Sequence, residues 1–176
     1  MKLVDAPRCP YCARVRIALA EKGLAFERIE IDLDNRPQSI IDLNPPHGRV
    51  PVLDNGFILP ESEVIMAYLE ELQPEPALMP EGVRARAEAA LFVQRFDLLL
   101  GDDYYAYRRG DNNRLAERLG ELPVGHSLFS DIAYAPWVIR ARDMLGVTLP
   151  SRLDAWLAEL SERPSIAAEI EVVRNL

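Results

Sequence analysis

Cysteine is nearly absent. The 176-residue chain holds two, Cys9 and Cys12, both in the stretch RCPYC. Histidine is as scarce, with only His47 and His126. These residues offer no familiar metal-ligand spacing, which argues against a zinc site. A disulfide staple explains the pair poorly: so short a loop constrains little of the unfolded chain, and a reducing compartment does not maintain structural disulfides. Long apolar runs are missing, so no membrane span is expected. The opening MKLVDAPRCP lacks the apolar core of a secretory signal. Excess positive charge is missing as well. With 28 acidic residues against 20 basic ones the net charge is −8, and such a surface repels phosphate backbones. These absences point to a cytoplasmic protein without a metal, a nucleic-acid partner or a membrane partner. At 49% hydrophobic residues a normal core is available. Redox or nucleophilic chemistry is the favoured account of the paired cysteines.

The pattern along the chain gives them a setting. KLVD reads as a strand, and YCARVRIALAEKG as a helix that Gly23 can end. Cys9 then falls at or just before the helix N-terminus, with Pro10 at the first helical position. The unpaired N–H groups and the positive dipole end there favour a thiolate. FERIEIDL alternates Ile29, Ile31 and Leu33 and reads as a second strand. CxxC beside a βαβ pattern reads as thioredoxin-like. PQSIIDLNP predicts a short helix, and RVPVLDNGFIL a hairpin with Asn55-Gly56 in a two-residue type I′ turn. PESEVIMAYLEEL predicts a helix with Ile65, Tyr68, Leu69 and Leu72 on one face. The fold class is thus an α/β thioredoxin-like N-terminal domain over residues 1–73, followed by a proline-rich linker over 74–82. An all-α domain follows over 83–176. Its expected helices run over 83–108, near Asn113 to Glu121, over FSDIAYAPWVIRARDMLG and SRLDAWLAELSERP, and from near Ser165. Pro136 predicts a kink or break in the third of these.

Several stretches resemble the cytosolic glutathione transferase superfamily. RCPYCARVRIALAEKGL resembles its first loop and helix, and NPPHGRVPVLDNGFILPESEVIMAYLEE its glutathione-site segment. FSDIAYAPW is similar to the motif opening the core helix of the second domain, and LAELSERPSIAAEI to the C-terminal helix pair. CPYC in this setting resembles the cysteine-type members, the omega-like transferases and two-domain glutaredoxins. The resemblance implies glutathione as co-substrate and Cys9 as nucleophile, with Cys12 as a resolving cysteine or a spectator. It implies a cis Pro51, so that Val50 offers its N–H and C=O to the cysteinyl part of glutathione. Glu61 and Ser62 would hold the γ-glutamyl end, with Ser62 as N-cap of the next helix. Arg49 would meet the glycine carboxylate. Arg8 and Arg14 could add positive potential, although exposed helix arginines are usually only solvated. The second substrate, a small electrophile or a mixed disulfide, would meet Tyr11, Tyr104, Tyr105 and Tyr107; packing competes as the account of these tyrosines. A homodimer is implied by the resemblance alone.

The helical half departs from the pattern. It is short, and the family's serine three residues before the aspartate falls at Leu128, so Ser127 must cap or the helix starts differently. Two other readings compete with the enzyme. One is a binding protein on the same fold, similar to stringent starvation protein A, favoured by the shortened second domain and opposed by CPYC and Arg49. The other is a thioredoxin-type dithiol reductase, opposed by Glu61-Ser62.

Overall fold

The structure is a computed structural model that describes residues 1–111 and 114–176. The chain divides into two units, Met1–Ala77 and Leu78–Asn175. In the first, the elements run β1 (Lys2–Asp5), α1 (Pro10–Glu21), β2 (Glu27–Glu30), α2 (Gln38–Leu43), β3 (Val52–Asp54), β4 (Ile58–Pro60) and α3 (Ser62–Leu72). The four strands form one sheet in the order β2-β1-β3-β4. β1 and β2 are parallel, with α1 as the crossover that parallel neighbours require. β3 runs antiparallel to β1 and to β4. This is the thioredoxin-like α/β sheet read from the sequence.

The second unit is helical, with α4 (Val83–Arg109), α5 (Leu115–Glu121), α6 (Leu128–Asp143), α7 (Ser151–Leu160) and α8 (Pro164–Arg174). Gly110 ends α4 in the left-handed region that a side chain disfavours. The expected start of the next helix at Asn113 lies outside the described residues. Ser127 caps α6: its hydroxyl accepts from the Ser130 N–H at 3.2 Å, and Ser130 closes the box in return. Among the described residues, no helix is long and apolar enough to cross a membrane.

Two local expectations are corrected. The hairpin loop is three residues, Asn55 to Phe57, because Asp54 pairs with Ile58. Only Gly56 takes a positive φ, whereas a type I′ turn needs two. Asn55 instead donates from its side chain to the Tyr68 hydroxyl at 2.8 Å. Pro136 does not break α6, which runs through it. Nearly every residue from Phe129 to Ala141 is buried, so packing outweighs the lost hydrogen bond. The fully buried Arg140 donates to the Pro136 carbonyl at 3.1 Å and pairs with buried Glu169 at 2.8 Å.

The loop before β3 is held tightly. Gly48 has φ +57°, and a Cβ there would lie 2.9 Å from the Ile41 Cα, a backbone atom that cannot swing aside. Gly48 N–H donates to Asn44 O at 2.8 Å, and the Asn44 side chain donates to Arg49 O at 3.0 Å. Gly48→Ala is expected to cost about 1–3 kcal/mol in urea unfolding. Wild-type stability for that variant would show that α2 yields without penalty.

Candidate functional site

The first unit brings Cys9, Cys12 and Val50 into one apolar cluster with Val4, Ala6, Ile31, Ile40 and Val52, and Tyr11 packs against it. Cys9 is the N-cap of α1 and Pro10 follows at its start. The Cys9 N–H donates to Ala6 O at 3.0 Å, which ties the loop back to the end of β1. The Cys9 thiol is 7% exposed and donates to the Val50 carbonyl at 3.7 Å. The Val50-Pro51 bond is cis, as the resemblance implied. The helix terminus thus presents a sulfur beside a backbone carbonyl of the segment entering β3.

Cys12 lies one turn on and is wholly buried, and no disulfide joins the two cysteines. Burial pushes the Cys12 thiol well above its ordinary range; the hydrogen bond and charge of Cys9, then Asp5, push it further, against the Ala6 backbone. The unfolded thiol ionises near pH 8.5 while the folded one keeps its proton. The stabilising contribution is therefore complete below that pH and is lost as pH rises toward the folded-state value. Wild type is expected to lose stability above about pH 8.5 more steeply than Cys12→Ala. Parallel urea midpoints for the two proteins between pH 8 and pH 10 would contradict this.

The γ-glutamyl candidates sit at the start of α3. Glu61 is exposed and has φ +68°, the only non-glycine positive φ among the described residues. Such strain is often held at functional sites. Glu61, not Ser62, is the N-cap position. Ser62 is the first residue of α3, and the Glu61 side chain makes no capping bond. The expectation of Ser62 as N-cap is corrected on that geometry: the strained turn falls one residue earlier, and the Ser62 hydroxyl accepts from Arg14 Nη1 at 3.4 Å. Arg49 is exposed.

Sequence reasoning misjudged the neighbouring arginines. Arg14 is fully buried, with its guanidinium carbon 5.0 Å from the Tyr11 ring centre. Its helical register with the buried Ile17 and Ala18 was the available signal. Arg8 pairs with Asp34 at 2.6 Å and lies 3.7 Å from Asp32, so its charge is largely matched beside Cys9. In the helical unit, Tyr104 is 2% exposed and stands edge-on to Trp137 at 5.0 Å. That is the packing alternative for Tyr104. Tyr105 and Tyr107 are half-buried.

Residues 3–77 match the family described as the glutathione S-transferase N-terminal domain. A probable glutathione transferase of Aplysia californica is 39% identical over 85 residues, 48% of this chain and 91% of that protein. The chain belongs to the glutathione transferase superfamily. A stringent starvation protein A homolog of Haemophilus influenzae is 37% identical over 113 residues, 64% of this chain. That match spans about half of the relative's own length, 51%. The solved structure of rice GST1 in complex with glutathione is similar with a TM-score of 0.80 at 27% identity, covering 99% of this chain and 92% of that one.

Proposed function

We propose that the protein is a cysteine-type, glutathione-dependent thiol transferase with Cys9 as its nucleophile. The observation that carries this reading is the placement of the Cys9 sulfur at the N-terminus of α1, 3.7 Å from the Val50 carbonyl. A peptide cysteine pairing its backbone with Val50 in the manner of an added strand brings its own sulfur toward Cys9. The Cys9 thiolate attacks the glutathione sulfur of a mixed disulfide RS–SG. The Cys9–SG bond forms, the RS–SG bond breaks, and RS⁻ leaves and takes a proton. The thiolate of a second glutathione then attacks the glutathionyl sulfur on Cys9, releasing oxidised glutathione and restoring the Cys9 thiolate. The helix dipole favours negative charge on Cys9 in both steps. Buried, protonated Cys12 takes no part. Glu61 accepts from the α-amino group, Ser62 meets the α-carboxylate and Arg49 the glycine carboxylate. Tyr11, Tyr105 and Tyr107 are the candidates to meet the second substrate. Within this reading the protein is a cytoplasmic homodimer.

The test is turnover of a small glutathionylated disulfide, with glutathione or with thioredoxin and thioredoxin reductase as the electron source. Turnover with glutathione alone supports the reading; turnover only with the thioredoxin system supports the dithiol reductase instead. The similarity to stringent starvation protein A homologs favours a second reading, a non-catalytic binding protein on this fold. Absence of glutathione binding in calorimetry would move that reading to first place.

A further inference from the structure

Within α1, Arg14 is the charged residue that is wholly buried. Its Nη1 donates to Ser62 Oγ at 3.4 Å, and Ser62 is itself 5% exposed at the start of α3. A guanidinium has donors only, so in this pair the serine oxygen must be the acceptor. The hydroxyl proton therefore points elsewhere, and among the described residues it meets no acceptor. One buried cation thus links the helix that begins at Cys9 to the helix that begins at Ser62, and it leaves the serine hydroxyl proton available to another acceptor. The N-terminal dipole of α3 has the same sign as Arg14. Glu61, next to it and exposed, has only acceptors when ionised.

We infer that Arg14 is a positioning residue that sets the polarity of the γ-glutamyl subsite. Acting through Ser62, it reserves that position for the α-carboxylate and leaves the α-amino group to Glu61. An ammonium at Ser62 would face a proton donor and a buried cation at short range, whereas a carboxylate there gains a hydrogen bond and a favourable charge. The inference rests on the glutathione reading above and goes beyond it in assigning the polarity to a residue that lies behind the serine.

The test uses calorimetry with three ligands: glutathione, its des-carboxy analogue γ-aminobutyryl-cysteinyl-glycine, and its des-amino analogue glutaryl-cysteinyl-glycine. Arg14→Met is expected to weaken glutathione and the des-amino analogue by about tenfold or more and to leave the des-carboxy analogue unchanged. Arg14→Lys, which keeps the charge, is expected to recover part of the loss. Equal weakening of all three ligands would show a merely structural role and overturn the inference, as would no weakening at all. Should Arg14→Met fail to fold, Ser62→Ala gives the same reading: loss confined to the two carboxylate-bearing ligands supports the inference, and equal or absent loss overturns it. Wild type binding none of the three would overturn the glutathione reading, and this inference with it. Wild type binding all three, with variants that do not discriminate among them, overturns the inference alone.

Discussion

Cys9→Ser is expected to lower glutathione-dependent reduction of a small mixed disulfide by at least about a thousandfold, while glutathione affinity stays near wild type. A serine hydroxyl cannot form the mixed disulfide on which both steps depend, so only the uncatalysed exchange between glutathione and substrate remains. Cys12→Ala is expected to keep most of the activity. Its thiol is wholly buried and is held in the protonated form by that burial and by Cys9, whereas the attacking species must be an accessible thiolate. The two variants therefore separate a one-cysteine cycle from a two-cysteine cycle. Equal loss in both would assign Cys12 to the cycle and place its thiolate in the reactive state. Calorimetry on Cys9→Ser guards against misfolding as the cause of lost turnover.

The largest effect on stability is expected at Asp5. This carboxylate closes β1, is wholly buried, and forms ion pairs with both Arg16 and Arg28. Removing one member of a buried ionic group leaves the others uncompensated, which costs about 3–5 kcal/mol. Arg28 is a third exposed and regains hydration, and Arg16 is only 11% exposed. The expected cost of Asp5→Ala therefore sits at the low end, about 3 kcal/mol. That is a large share of a typical folding free energy. Asp5→Asn keeps acceptor geometry and is expected to lose less. The effect reaches the site, because Ala6 follows Asp5 and its carbonyl accepts from both the Cys9 N–H and Arg16. Urea unfolding of Asp5→Ala with a wild-type midpoint would mean that solvent satisfies both arginines.

The order of elements was legible because it rests on local signals. Alternating apolar residues in FERIEIDL, a proline after Cys9, Gly23 past the end of α1 and the proline-rich run after α3 each act within a few residues. Gly23 does take a positive φ just beyond α1. The cap at Ser127 was legible for the same reason. The misread features depend on contacts between distant segments. Arg14 looks like a solvated helix residue until α3 packs over it and Ser62 accepts its hydrogen bond. Asp5 gave no sign of its two arginine partners, 11 and 23 residues away. The buried Arg140–Glu169 pair spans 29 residues, and the packing around α6 decides the conformation at Pro136 against the local preference. The type I′ expectation failed because register, set by Asp54 opposite Ile58, added a residue to the loop. The strained Glu61 was invisible to propensity, which would place glycine at such a φ. The packing of Tyr104 against Trp137, 33 residues on, was likewise outside the reach of local signals.

The most direct test of Cys9 as the reacting thiol is intact-mass and peptide mapping after brief exposure of native wild-type protein to limiting oxidised glutathione. The account predicts one glutathionyl group on Cys9, none on Cys12, and its removal by added glutathione. An adduct on Cys12, or no adduct while glutathione still binds, would contradict it.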